Sequence, residues 1–287
     1  MFPSEFAYHA PASLAQALEL LGRYREDAKL LAGGHSLLPM MKLRFAAPAH
    51  LIDLNGVTEL KGVREKNGVL YIGAMTTESE LIASALVRER CPLIIEAARQ
   101  IADPQVRNRG TIGGDVAHGD PGNDHPAVML ALGASFLLRG PDNERVVAAD
   151  GFYLGPLQTA LAPDEILTEI RIPLPPAKSG HSYQKLKRKI GDFATAAAAV
   201  QLTLKSGACE RIGIALTNLA PTPLKVATAE KLMTGKKIDD TLIAQASRLA
   251  MEACDPSADL RGPVEYKRHM AGEMTKRALR EALARAQ

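Results

Sequence analysis

Arg109 to Asp124 reads RGTIGGDVAHGDPGND, five glycines and one proline in a single short run. Glycine costs backbone entropy in a helix or a strand, so this composition predicts a turn rather than a packed element. The Gly113-Gly114 pair removes two Cβ atoms and lets backbone amides come close to a bound group. Thr111 adds a hydroxyl, and Asp115, Asp120 and Asp124 add acceptors. A turn of this kind suits the phosphates and sugars of a cofactor; the plainer reading is an ordinary turn between two elements. Leu31 to Leu38, LAGGHSLL, repeats the pattern with an apolar lead-in, a Gly-Gly pair and Ser36. Two such bends predict closure on one extended ligand from two sides. Neither is G-x-G-x-x-G and neither is a Walker A loop, so the Rossmann and P-loop fingerprints are absent.

The chain has 287 residues, room for one large domain or two to three smaller ones. Its 46% hydrophobic and 23% charged residues are ordinary for a globular protein. Thirty-five basic against 32 acidic residues is too balanced to argue for nucleic acid. With no tryptophan and 4% aromatics, base-stacking platforms are not expected either. The three cysteines, Cys91, Cys209 and Cys254, are far apart and odd in number, neither a disulfide framework nor an iron–sulfur or zinc spacing. They read as small reduced hydrophobes of a cytoplasmic protein. No secretory signal is visible at the N-terminus, and no run reaches the about 18 apolar residues a membrane span needs. No metal site and no Ser-His-Asp, HExxH or paired-carboxylate pattern stands out, so no catalytic side chain is assigned.

Ser13 with Gln16 predicts a capped helix whose apolar face is Leu14, Ala17, Leu18 and Leu21, stopping near Gly22. Leu30 to Ala32 and His50 to Leu54 read as strands. Asn67-Gly68 marks a hairpin. Thr77 with Glu80 opens a helix expected to run to about Arg90, and Pro92 to Ile101 follows as another. His125 to Leu132 reads as a helix and Ser135 to Arg139 as a strand. Ile166 to Pro173 reads as a strand with Ile166, Ile170 and Ile172 on one face, and Tyr183 to Lys189 as a basic extended segment. Ala194 to Lys205 and Arg211 to Thr217 alternate around Ser206-Gly207, an antiparallel pair. Thr228 to Met233, Asp239 to Ala253 and Pro263 to Ala284 are helical in pattern. The proline cluster at 173–176 predicts a boundary near residue 177. The expected organisation is a 1–177 domain with subdomains of roughly 1–55 and 56–177, then a 178–287 domain.

AGGHSLLPMMKLR, IGAMTT, IADPQVRNRGTIGGDVAHGDPGND, ILTEIRIP and YQKLKRKIGDFATAAAAV occur in this order. Together they resemble the FAD-binding subunits of the molybdenum hydroxylases, a branch of the p-cresol methylhydroxylase-like flavoproteins. The resemblance covers essentially the whole chain. It implies an α+β fold: an FAD-binding domain of two α/β subdomains, then a domain with a small antiparallel sheet and helices. It implies FAD as cofactor and electron transfer as function. The partners implied are a large molybdenum-cofactor subunit and a small [2Fe–2S] subunit, arranged as a dimer of heterotrimers, with a quinone or other acceptor. Cytoplasmic location follows, with contact to the inner face of the membrane through partners.

The resemblance also assigns residues. Ala32, Gly33, Gly34, His35, Ser36 and Leu37 wrap the FAD diphosphate, mostly through amides; His35 lends its amide and a ring N–H rather than a covalent flavin link. Thr111, Ile112, Gly113, Gly114, Asp115 and Ala117 form the second bend, and Asp124 accepts from ribose or ribityl hydroxyls. Asp115 departs from the Asn common in relatives. It either turns away from the diphosphate or takes hydroxyl protons. Ile101, Leu161, Leu167 and Lys185 lie near the flavin ring, where the lysine charge favours reduced flavin; Phe193 limits access. Core packing for the aliphatics and a solvated basic face for Lys185 are the plainer readings. Three other functions stay open: a sister enzyme acting on a heteroaromatic or an aldehyde, a flavin-free assembly protein of the same fold, and a self-contained flavin oxidase.

Overall fold

The structure, a computed structural model, describes residues 1–176 and 178–287. The boundary expected at 177 falls on the one residue outside them. The chain begins with β1 (Ala7–His9), α1 (Leu14–Tyr24), β2 (Ala28–Leu31), α2 (Leu37–Lys42) and β3 (His50–Asp53). The three strands form a parallel sheet in the order β1-β3-β2. Ser13 caps α1 by accepting the Gln16 N–H at 3.3 Å, while the Gln16 side chain reaches back to the Ala12 N–H at 2.9 Å. Leu14, Ala17 and Leu21 are buried as expected, but α1 continues through Gly22 to Tyr24. A single glycine costs a helix about 1 kcal/mol, too little to end one whose apolar face is already docked.

A second sheet is antiparallel in the order β4-β5-β10-β6-β7. Its hairpin is β4 (Val63–Lys66) and β5 (Val69–Gly73), joined by Asn67 and Gly68 at φ 53° and 74°. Helices α3 (Glu78–Ala83), α4 (Ala85–Arg90), α5 (Pro92–Ala98), α6 (Pro104–Arg107), α7 (Ile112–His118) and α8 (Asp124–Leu132) precede β6 (Ser135–Arg139) and β7 (Glu144–Ala148). A small hairpin, β8 (Tyr153–Gly155) with β9 (Gln158–Thr159), leads to β10 (Ile166–Pro173). Thr77 and Glu80 make the expected capping box, yet the helix breaks at Ser84, whose hydroxyl accepts the Val87 N–H and starts α4. The register of β10 shifts between Leu167 and Glu169. Ile166 therefore leaves the face of Ile170 and Ile172 and joins the core beneath α1 instead.

The third sheet, β11 (Ser179–Leu186), β12 (Ala196–Lys205), β13 (Ala208–Thr217) and β14 (Leu224–Lys225), is antiparallel in sequence order. Helices α9 (Ala227–Met233), α10 (Asp240–Ala253) and α11 (Val264–Ala286) follow, and α11 lies on β11 and β12. The alanine run of β12 is a strand because it is buried from both sides. On one side, small side chains admit α11. On the other lies α8, whose nine residues are all buried and which packs on β12, β13, α5 and α7. The core containing α8 also takes in Tyr183, Ala194, Ala197, Ala199 and Ala215. No helix of the described residues is long and apolar enough to cross a membrane.

Candidate cofactor-binding cleft

The glycine-rich stretch at 109–124 is not a plain turn. Its middle is α7, capped by the Thr111 hydroxyl, which accepts the Gly114 N–H at 3.1 Å. Glycine is tolerated in this helix because neighbours occupy the space a side chain would need. A Cβ on Gly113 would stand 2.4 Å from the Ala74 Cβ. The N–H groups of Ile112, Gly113 and Asp115 go to Thr76 O, Ala74 O and Thr111 O. The first bend is different. Among the described residues, the N–H groups of Gly33, Gly34, His35 and Ser36 meet no protein acceptor. The two bends also touch: a Cβ on Gly33 would lie 2.3 Å from Arg109 O. Their glycines let one backbone pass directly over another.

Beside this contact lies a cleft of about 820 Å³. Ala32, Gly33, Gly34, His35, Ser36 and Leu37 line it from the first bend; Thr111, Gly113, Gly114, Asp115, Ala117 and Asp124 line it from the second. Ile101, Leu161, Leu167 and Lys185 complete the expected set. Ile112 does not reach the cleft, because α7 turns its side chain into the core beside Val116 and Ala127. Phe193 stands at the mouth, 49% exposed, with the Arg261 guanidinium 5.7 Å from its ring centroid. Arg261 also binds Asp192 at 2.8 Å. Together with Arg188, and against burial, it pulls that carboxyl down to about 2.

The floor of the cleft is ionic. Lys185 Nζ stands 2.7 Å from Asp124 Oδ2, with the two side chains 1% and 6% exposed. The Tyr183 hydroxyl donates to Asp124 Oδ1. Both Asp124 oxygens thus already accept protein donors, and the Lys185 charge is balanced rather than free. Behind them, His125 Nε2 lies 2.7 Å from Glu78 Oε2, fully out of solvent. Burial opposes a charge on His125, but the Glu78 carboxylate and its hydrogen bond outweigh it and carry the ring up to about 9. Asp115 accepts the His125 N–H on Oδ2 at 3.2 Å. Burial pushes its carboxyl up to about 7.

Sequence reasoning placed no role on Glu78, His125 or Tyr183. Glu78 reads as one more acid in a capping turn and His125 as the start of an apolar helix. The available signal was a histidine inside DHPAVMLAL, a segment with no polar face of its own. Arg25, Glu26 and Lys29 also line the cleft, and the turn after α1 that carries them has no motif to announce them.

The cleft fits a dinucleotide flavin. Its volume is in the range of cofactor sites, four first-bend amides without a protein acceptor among the described residues are open to a phosphate, and Ile101, Leu161 and Leu167 supply an apolar wall. Comparisons with known proteins agree. Residues 4–175 match the family described as the FAD binding domain in molybdopterin dehydrogenase. The chain belongs to this family. FAD is its cofactor. Residues 181–282 match the CO dehydrogenase flavoprotein C-terminal domain. The carbon monoxide dehydrogenase medium chain of Hydrogenophaga pseudoflava is 53% identical over 285 residues, 99% of each chain. A solved structure of carbon monoxide dehydrogenase from Hydrogenophaga pseudoflava superposes with a TM-score of 0.98 at 55% identity, covering 99% of both chains. Quinoline 2-oxidoreductase from Pseudomonas putida 86 gives a TM-score of 0.94 at 33% identity, covering 100% of this chain and 99% of that one.

Proposed function

We propose that this chain is the FAD-carrying medium chain of a carbon monoxide dehydrogenase. The observation that carries the reading is the cleft lined by both glycine bends, with first-bend amides that meet no protein acceptor among the described residues and an apolar wall within reach. The full-length identity of 53% to a carbon monoxide dehydrogenase medium chain supports that branch over the 33% shared with a quinoline enzyme. When bound, FAD supplies the two-electron carrier between a partner's [2Fe–2S] clusters and a quinone.

The chain's own residues do the holding. In this reading Gly33, Gly34, His35 and Ser36 present amides to the diphosphate. Thr111, Gly113, Gly114 and Ala117 shape the facing wall, and Ile112 acts only by fixing α7 in the core. Ile101, Leu161 and Leu167 cover the ring. Lys185, anchored by Asp124, offers a remaining N–H at a ring edge, and its paired charge favours reduced flavin less than a free ammonium would. Asp124 orients Lys185 and Tyr183 as well as facing ribose or ribityl hydroxyls. Phe193 and Arg261 narrow the mouth.

A large molybdenum-cofactor subunit and a small [2Fe–2S] subunit complete the enzyme as a dimer of heterotrimers in the cytoplasm, touching the inner membrane face through partners. The division near residue 177 belongs to the same reading. Purifying the native complex tests it. Molybdenum, iron and FAD should co-purify, and carbon monoxide should reduce a quinone. A complex that instead oxidises a heteroaromatic would move the chain to the sister branch, and one without flavin would defeat the reading.

A further inference from the structure

Five ionisable side chains meet behind the second bend, each from a fixed element. Glu78 opens α3, Asp115 lies in α7, Asp124 and His125 open α8, and Lys185 is in β11. Two of them are cations, and each has one carboxylate partner. His125 pairs with Glu78 at 2.7 Å, and Lys185 pairs with Asp124 at 2.7 Å. Asp115 is left as the one carboxyl of the group without a cationic partner. Its Oδ2 takes only the His125 N–H, and no donor meets Oδ1 among the described residues. The other groups facing it do not help. Among the described residues the buried Tyr153 hydroxyl and His125 Nδ1 meet no partner, Asp115 included, and His118, on the same helix, is held below its ordinary value by burial. Three carboxylates against two cations leave one uncompensated negative charge, which a partly buried site tolerates less well than open water does. The count closes to zero when Asp115 carries a proton.

Resting on the assignment of this cleft to FAD, we propose that Asp115 is a neutral carboxylic acid in the working protein and donates its O–H to an oxygen of the bound cofactor. This resolves the conflict of an acidic side chain beside a diphosphate: a protonated Asp115 offers a donor in place of a repelling charge. Burial supports it by raising the carboxyl to about 7, with the Glu78 and Asp124 carboxylates adding to the shift and His125 opposing it. An anionic ligand raises the proton affinity further. The consequence is linkage between cofactor and proton. Below pH about 7 the carboxyl is already protonated and binding is insensitive to pH. Above it, each FAD that binds must bring a proton with it, and affinity falls by up to about tenfold per pH unit until the pKa of the complex is reached.

The test uses the full chain, stripped of flavin and titrated with FAD from pH 6 to 9 by quenching of flavin fluorescence. The wild-type Kd should be flat on the acid side and rise steeply above neutrality. Asp115→Asn keeps a donor that cannot titrate, so its Kd should stay flat and be lower than wild type at the alkaline end. A wild-type Kd that does not change with pH overturns the proposal, as does an Asp115→Asn protein with the same pH dependence as wild type. Should the variant misfold, proton uptake by the wild type in weak buffer decides: about one proton per FAD near pH 8 supports the proposal, and none overturns it. Absence of FAD binding at every pH defeats the flavin assignment itself. Normal FAD binding without proton linkage defeats only the role of Asp115.

Discussion

At the scale of single residues, the glycines of the two bends are required by protein neighbours before any ligand arrives. Gly33 lies over the Arg109 carbonyl, and Gly113 rests on Ala74. Gly113→Ala places a Cβ 2.4 Å from the Ala74 Cβ and 2.5 Å from its carbonyl oxygen, and backbone cannot step aside as a flexible side chain can. The expected cost is about 1–3 kcal/mol of stability, with a lower flavin-to-protein ratio. Urea unfolding and visible absorption would measure the two, and a variant with wild-type midpoint and flavin content would show that α7 moves freely. His125 carries a second prediction. The folded ring keeps its proton to about 9, whereas an unfolded histidine releases it near 6.5. The stability contributed by that proton is therefore complete below about pH 6.5 and is lost as pH rises to about 9. Asp115, raised to about 7, acts in the same direction. The urea midpoint of the flavin-free chain should be lower at pH 9 than at pH 6; an unchanged midpoint would mean that neither His125 nor Asp115 holds its proton more tightly when folded.

At the scale of elements, the sequence was most legible where a local rule acts alone. The Asn67-Gly68 hairpin, the Thr77–Glu80 capping box, β6, β10 and the three C-terminal helices depend on turn chemistry and periodicity within each segment. Legibility failed where a neighbour overrides the local preference. Nothing in GTIGGDV announces α7, because glycine disfavours a helix unless another backbone lies where its side chain would be. The bulge in β10 likewise answers to two cores, one taking Ile166 and the other Ile170. Of the candidate site, the two bends and the aliphatics that line the cleft were readable from a resemblance of ordered motifs. The buried pairs beneath them were not, since Glu78, His125 and Lys185 are far apart in the chain and meet only in the fold. The same reasoning makes Gly180 an element-scale test. It lies in β11 under α11, and a Cβ there would be 1.8 Å from the Ala282 carbonyl. Gly180→Ala should push α11 off the sheet and cost several times the roughly 1 kcal/mol that a glycine-to-alanine change usually moves. A melting temperature within error of wild type would refute that close packing.

For the whole molecule, the question is whether the chain unfolds in pieces. Its two matched families divide it at 175 to 181, but the packing does not respect that line. Helix α8, from the first part, is enclosed on one side by β12 and β13 of the second. The Tyr183 hydroxyl and the Lys185 ammonium reach back to Asp124. At the surface, Arg285 of the last helix binds Glu96 of α5 at 3.1 Å. An isolated first part would expose the apolar flank of α8 and leave Asp124 ionised without its lysine, each a cost of several kcal/mol. Unfolding should therefore be one cooperative event, despite a length at which separate domain transitions are common. Calorimetry of the full chain should give a single peak whose calorimetric and van't Hoff enthalpies agree, and ending the chain after Pro176 should yield an aggregating product. Two resolved transitions would show that α8 keeps its burial without the C-terminal sheet. The cleft floor, built by Asp124 and Lys185 from opposite sides of the line, would then no longer require both halves.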